Sequence, residues 1–222
     1  MEIHYFGHSC FRLKGKEGVV VTDPFGTMAG WKLPPLKADV VTVSHPHEDH
    51  NNILAVKPMA EGQKPFIIDQ AGEYEVRGIT VFGYPTWHDS QQGGERGSNI
   101  VFSIFLDGVH VLHLGDLGHK LPESVLEEIG EVNVLLCPVG GAFTIDPQGA
   151  LDAISAIEPD VVIPMHYRTP SHGSEFASLA TLEEFLQKYG KTAAAQEKLV
   201  MSAKIGEEEA ETQLVVLEQK TA

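Results

Sequence analysis

The sequence predicts an α/β protein of stacked β-sheets with helices on the outside. Three observations lead there. As far as Leu114, apolar residues come in short β-branched runs separated by tight turns. From Pro122 onward, helical patterns alternate with buried strands. No repeat of fixed period and no linker-like stretch divides the 222 residues, so one domain over 1–222 is expected.

Taken in order, Ile3, Tyr5 and Cys10-Phe11-Arg12-Leu13 alternate with a two-residue period. Lys14-Gly15-Lys16-Glu17-Gly18 reads as a hairpin turn, and Val19-Val20-Val21-Thr22 as a strand ending at Asp23-Pro24. Gly26 to Pro35 is punctuated as a loop. Ala38 to Ser44 is a buried strand that leads into His45-Pro46-His47-Glu48-Asp49-His50. Asn51 to Lys57 begins with capping residues and is expected to be a short helix that Pro58 ends. Phe66-Ile67-Ile68 and Ile79-Thr80-Val81-Phe82 are strands, with a turn at Val76-Arg77-Gly78. His88 to Ser98 is a Gly-rich surface loop. Asn99–Leu106 and Val109–Leu114 flank Asp107-Gly108, a strong hairpin signal. Pro122 to Ile129 is a helix with Gly130 after its end. Val132 to Val139 is a strand. Asp146 caps a helix begun by Pro147, with Leu151, Ile154 and Ile157 on its apolar face. Val161-Val162-Ile163 is a strand ending at Pro164-Met165-His166. Thr181-x-x-Glu184 is a capping box for a helix closed by Gly190, and Gln213 to Leu217 is a last strand. Glu207-Glu208-Glu209 reads as a solvated turn.

The formal net charge of −15 argues against binding long nucleic acids or anionic membranes, which require a basic footprint. There is no signal-like start and no apolar run of membrane-spanning length, so the expectation is a soluble, cytoplasmic protein. Cys10 and Cys137 are expected as two separate buried thiols.

The eleven histidines are unevenly spread. His45, His47, Asp49 and His50 fall in one loop, where strand alternation lets His45, His47 and Asp49 share a side while His50 points elsewhere. His8, His88, Asp116 and His166 each follow a predicted strand. Neutral imidazoles and carboxylates suit zinc, iron or manganese, and six or seven such groups exceed what one tetrahedral ion needs. The count favours two metals.

His45-x-His47-x-Asp49-His50, followed by His88, Gly115-Asp116 and His166, resembles the metallo-β-lactamase superfamily. Gly7-His8-Ser9-Cys10-Phe11, Gly115-Asp116-Leu117-Gly118-His119, Gly140-Gly141-x-Phe143-Thr144-Ile145-Asp146 and Ile163-Pro164-Met165-His166-Tyr167 are similar to a bacterial and archaeal branch of small metal-dependent hydrolases related to ascorbate-phosphate lactonases. The resemblance implies a four-layer αββα sandwich. It implies two divalent ions, zinc foremost, with manganese or iron as alternatives. His45, His47 and His88 would hold one, Asp49, His50 and His166 the other, and Asp116 would bridge. A hydroxide shared by the ions would cleave an ester, lactone or phosphoester of a small-molecule substrate, with Asp49 as the catalytic carboxylate. The alternatives are a phosphodiesterase or nuclease of the same superfamily and a non-catalytic metal-binding protein. Oligomeric state is left open.

Other polar residues carry two readings each. His8 is a site contact or a turn histidine. His119 is a leaving-group contact or, with a slight preference, an exposed loop residue. Asp89 is a partner of a ligand histidine or a surface carboxylate. Tyr167 is read as packing, and His113 as a core histidine. His4, His110 and His172 carry no argument, and Glu48 is a solvated loop residue.

Overall fold

The computed structural model describes residues 1–202 and 211–221; the acidic turn at Glu207-Glu208-Glu209 lies outside them. Two mixed sheets stack on each other. The first has six strands in the order Leu199–Val200, Glu2–Gly7, Cys10–Lys14, Val19–Thr22, Val40–Thr42 and Phe66–Ile68. The second has seven, in the order Gln213–Leu214, Val161–Met165, Val134–Pro138, Val109–His113, Ser98–Leu106, Ile79–Trp87 and Gly72–Val76. Their facing sides share one core. Ile3, Tyr5, Leu13 and Val20 from the first sheet join Val101, Ile104, Val111 and Leu135 from the second, all essentially inaccessible to solvent. The expected sandwich of sheets with outer helices is the observed architecture.

The strands from Gly72 to His113 form an antiparallel meander, and those from Val109 onward run parallel. The hairpin at Asp107-Gly108 forms as expected, with both residues at positive φ (54° and 73°), as a two-residue turn matched to strand twist requires. Parallel pairing needs crossover segments, which the helices supply. These are α1 (Glu123–Ile129), α2 (Pro147–Ile157) and α3 (Leu182–Tyr189). Asp146 accepts the Gly149 N–H at 2.8 Å and starts α2. Thr181 and Glu184 form a reciprocal capping box on α3. Replacing such a cap by alanine typically costs about 1 kcal/mol.

Over the outer face of the first sheet lies a second apolar cluster, in which Phe6, Cys10, Val21 and Val41 meet Phe25, Ala29, Leu36 and Val56. The covering layer here consists of 3-10 turns and a short parallel pair, Leu36–Ala38 with Val56–Pro58. The helix expected over Asn51 to Lys57 is therefore absent. Its place is taken by one 3-10 turn, Ile53–Ala55, followed directly by strand. β-branched Val56 pairs with Leu36 in the parallel strand pair, and this takes the end of the segment out of any helix. The Ala38–Ser44 run is also divided, between Leu36–Ala38 and Val40–Thr42, and the terminal Gln213–Leu217 run splits between two sheets. Cys10 and Cys137 are free and buried. Among the described residues no helix is long and apolar enough to cross a membrane.

Candidate metal centre

All the predicted ligand residues gather where strands of both sheets end. The Val40–Thr42 strand delivers His45, Ile79–Trp87 delivers His88, Val109–His113 delivers Asp116, and Val161–Met165 delivers His166. Donor atoms of His45, His47 and His88 lie within 4.8 Å of one another, and so do those of His8, Asp49, His50 and His166. Asp116 stands between the groups. Its Oδ2 is 3.2 Å from His88 Nε2, 3.3 Å from His50 Nε2, 3.2 Å from His166 Nε2 and 3.9 Å from His45 Nε2. His47 is exposed and Asp49 half-buried, whereas the other predicted ligands are buried.

The backbone is bent to achieve this. His8, Asp23 and His166 take positive φ values of 55°, 38° and 52°, conformations that cost a non-glycine residue on the order of 1–3 kcal/mol and that collect at functional sites. His166 N–H donates to the His8 carbonyl at 2.9 Å, locking the two bends together. Gly118 allows a close approach: a Cβ there would lie 2.3 Å from the His88 carbonyl carbon and from the Asp89 nitrogen.

Asp23, read from sequence only as a strand end, organises the loop. Its Oδ1 accepts the Ser44 N–H at 2.8 Å, and its Oδ2 accepts the Ser44 hydroxyl at 2.5 Å and His50 Nδ1–H at 2.9 Å. With its proton given to Asp23, Ser44 Oγ is the acceptor for His45 Nδ1–H at 2.9 Å. One carboxylate thus sets both rings with Nδ1–H engaged and Nε2 turned toward Asp116, an arrangement typical of metal-binding imidazoles. Asn99 performs the matching task for Asp116, accepting its backbone N–H at 2.9 Å.

Electrostatics follow from burial and crowding. Burial, assisted by the His50 charge, pushes His45 down to about 2. Burial and His166 push His8 down to about 3, and the same two causes take His172 to about 4. Burial disfavours charge on His50 too, but Asp116 and Asp23 outweigh it and raise its pKa. Burial would raise Asp116 and Asp49. The histidines around Asp116, and the His8 hydrogen bond to Asp49, reverse this and hold both carboxyls well below the usual range. Among the described residues, His45 Nε2 and Asp116 Oδ1 have no hydrogen-bond partner. Buried acceptors left without a partner are costly. A divalent ion is the partner that imidazole nitrogens and a carboxylate oxygen in this arrangement suit, so the donor set fits a metal.

The ambiguous residues now take places. His8 is buried, with Nε2 3.1 Å from Asp49 Oδ2, and belongs to the site. His172, which carried no argument from sequence, lies beside it, Nε2 3.5 Å from His8 Nδ1. No local pattern signals His172, because a fold contact 164 residues away brings it there. His119 is neither a leaving-group contact nor a free loop residue. Its Nε2 accepts Trp87 N–H at 3.1 Å and its Nδ1–H donates to the Lys120 carbonyl at 2.8 Å, bracing the strand that carries His88. Asp89 touches no ligand histidine and is not a surface carboxylate: it is buried and accepts backbone N–H groups from Gln91, Gly93, Glu95 and Arg96. The Gly-rich loop is tied down by this one side chain. His113 is a core histidine, donating from Nε2 to the Ser9 carbonyl at 2.9 Å. Tyr167 packs against Tyr5, and burial pushes its phenol up to about 12.

A two-sheet sandwich whose strand ends converge on a His/Asp cluster able to bind metal has the architecture of a metallo-hydrolase. The chain belongs to the β-lactamase superfamily: the family model described as the Beta-lactamase superfamily domain matches residues 2–166. It is similar to a UPF0173 metal-dependent hydrolase of Thermoplasma acidophilum, 32% identical over 189 residues that cover 76% of this chain and 84% of the relative. A relative of the same description from Methanoculleus marisnigri is 30% identical, with 95% of this chain and 99% of the relative covered. Among solved structures, a Thermotoga maritima protein assigned to the zinc-dependent hydrolases of the metallo-β-lactamase superfamily is 36% identical, with a TM-score of 0.73 and 97% of each chain covered. The chain is therefore a metal-dependent hydrolase of that superfamily.

Proposed function

We propose that the chain is a binuclear hydrolase acting on an ester, lactone or phosphoester bond of a small molecule. His45, His47 and His88 would hold one ion, Asp49, His50 and His166 the second, and Asp116 both. Zinc is the metal we assign, with manganese and iron as alternatives. The observation that carries this reading is the position of Asp116 Oδ2, which lies within 3.3 Å of imidazole nitrogens from both donor groups. Ions bound there supply Lewis acidity, which lowers the pKa of water and stabilises charge developing on a carbonyl or phosphoryl oxygen.

The chain's own groups divide the remaining work. Asp49 lines the groove beside the cluster, where its carboxylate would orient the attacking water and take its proton. Pro46, Phe143 and Phe176 give the groove apolar walls that exclude water from a bound substrate. Arg96, held with its guanidinium 4.6 Å over the Phe143 ring, offers a cation at the rim, and an anionic group on the substrate would meet it there. Glu48 and Glu175 on the same groove, together with the net charge of −15, favour a small substrate over a nucleic acid strand.

Metal analysis of the purified protein, joined to a screen of chromogenic esters, lactones and phosphodiesters, tests the reading. Two ions per chain and turnover of one class are expected, with Asp49→Asn lowering turnover far more than metal content. Selective phosphodiester cleavage would move the assignment to a phosphodiesterase. A loaded protein inert toward all three classes would overturn it.

A further inference from the structure

A line of polar contacts beside the candidate ligands has no part in the roles above. It begins at the backbone of Thr169, whose N–H lies 3.0 Å from His172 Nδ1. The Thr169 hydroxyl is 3.1 Å from the same nitrogen. A ring nitrogen that receives an N–H is an acceptor, so the proton of a neutral His172 sits on Nε2. That Nε2 faces His8 Nδ1 at 3.5 Å. His8 Nδ1 is then also an acceptor, and His8 carries its own proton on Nε2, 3.1 Å from Asp49 Oδ2. A carboxylate only accepts, so the line ends there. The donors run in one direction, from a fixed backbone amide through two imidazoles to Asp49.

Both rings are held by packing. His8 is fully buried, with its ring 4.1 Å from that of His166 and 5.3 Å from Phe176. His172 lies 4.8 Å from Trp31 and 5.0 Å from Phe176. Distance alone leaves His8 two roles, because its donor atom falls within 4.8 Å of those of Asp49, His50 and His166. The proton decides between them: an Nε2 that bears hydrogen has no lone pair for a metal.

We propose that His8 is a positioning residue for Asp49 rather than a ligand, with its Nε2–H tautomer required by the Asp49 carboxylate on one side and matched by His172, itself oriented by the Thr169 amide, on the other. The proposal rests on the reading of Asp49, His50 and His166 as one metal subsite. Holding one Asp49 oxygen by hydrogen bond selects a single carboxylate orientation, as partners behind metal ligands commonly do.

The experiment has two arms. In metal-free, 15N-labelled protein, long-range imidazole correlations report which nitrogen of each ring is protonated. His8 and His172 are expected as Nε2–H forms, and His8 should keep that form in His172→Phe, because the Asp49 carboxylate still requires an Nε2–H donor. In protein loaded with 113Cd, scalar coupling should reach His50 and His166 and be absent from His8. By competition titration, His8→Ala should weaken binding at that subsite by about 10- to 100-fold, while His8→Gln, which keeps an N–H donor, should restore most of it. Cadmium coupling to His8, an Nδ1–H tautomer, or a Gln variant as weak as Ala overturns the proposal. If the wild-type chain takes up no metal, the two-metal reading fails, and the tautomers in the metal-free protein still decide the His8 assignment.

Discussion

His50 donates its Nδ1–H to Asp23 at 2.9 Å, and both side chains are completely buried although 27 positions separate them in the chain. The same carboxylate holds the Ser44 amide and hydroxyl, and through that hydroxyl the ring of His45. Asp23→Ala removes the common anchor of two candidate ligands. Metal affinity should fall by about 10- to 100-fold. The stranded Ser44 amide and His50 Nδ1–H should lower stability by about 1–3 kcal/mol. Metal competition and denaturant melts measure the two effects. An unchanged affinity would show that the anchor is dispensable.

His88 Nε2 and His166 Nε2 each lie 3.2 Å from Asp116 Oδ2 and fall in different donor groups. On the two-ion reading proposed above, His88→Ala and His166→Ala should each reduce bound metal from two ions to about one. The ions retained should differ in spectroscopic signature when cobalt replaces the native metal. If the two variants keep the same ion, the division of ligands between subsites is wrong.

Asp89 provides a pH test away from the cluster centre. Partial desolvation pushes its carboxyl up, but N–H donors from Arg96, Gln91, Glu95 and Gly93 prevail and bring it from 3.8 down to about 2. A depressed folded-state value means that the contribution to stability is complete above the ordinary carboxyl value and is lost as pH falls toward about 2. The protection factors of these four amides, taken relative to intrinsic exchange, should fall across that interval. Asp89→Asn should show the lowered protection already at neutral pH. Because the same carboxylate fixes the Arg96 backbone, the variant should also weaken binding of anionic substrates. Wild-type protection in Asp89→Asn at neutral pH would count against this account.

Cys10 and Cys137 are buried thiols whose pKa values burial pushes up, well above the thiolate range of a reactive cysteine. A chromogenic thiol reagent should find neither in the folded protein at neutral pH and both in denaturant. Rapid modification of either in the native state would mean that it opens locally.

Much of this was readable because apolar runs announce strands and each predicted ligand stands just beyond one. Asp116 after Val109–His113 and His166 after Val161–Met165 needed only the alternation rule and the chemistry of imidazole and carboxylate. The Asp107-Gly108 hairpin and the Thr181 capping box were legible for the same reason: their geometry is set by neighbours in sequence. Asp23, Asn99 and His172 were not legible, since each acts on a residue brought to it by folding, and nothing local distinguishes a carboxylate that ends a strand from one that anchors two rings. Asn51 to Lys57 was misread because capping residues mark a possible helix start, whereas pairing of Val56 with Leu36 decided the outcome.

The division of donors between the sheets has a consequence for synthesis. A nascent chain that has emerged as far as Ile68 owns every first-sheet strand except Leu199–Val200 and carries His8, His45, His47, Asp49 and His50. It still lacks His88, Asp116 and His166, so neither donor group with its shared carboxylate is whole. On the proposed ligand assignment, both subsites are complete only once the ribosome has delivered the second sheet and the two sheets have packed together. Occupancy by metal then counts finished molecules.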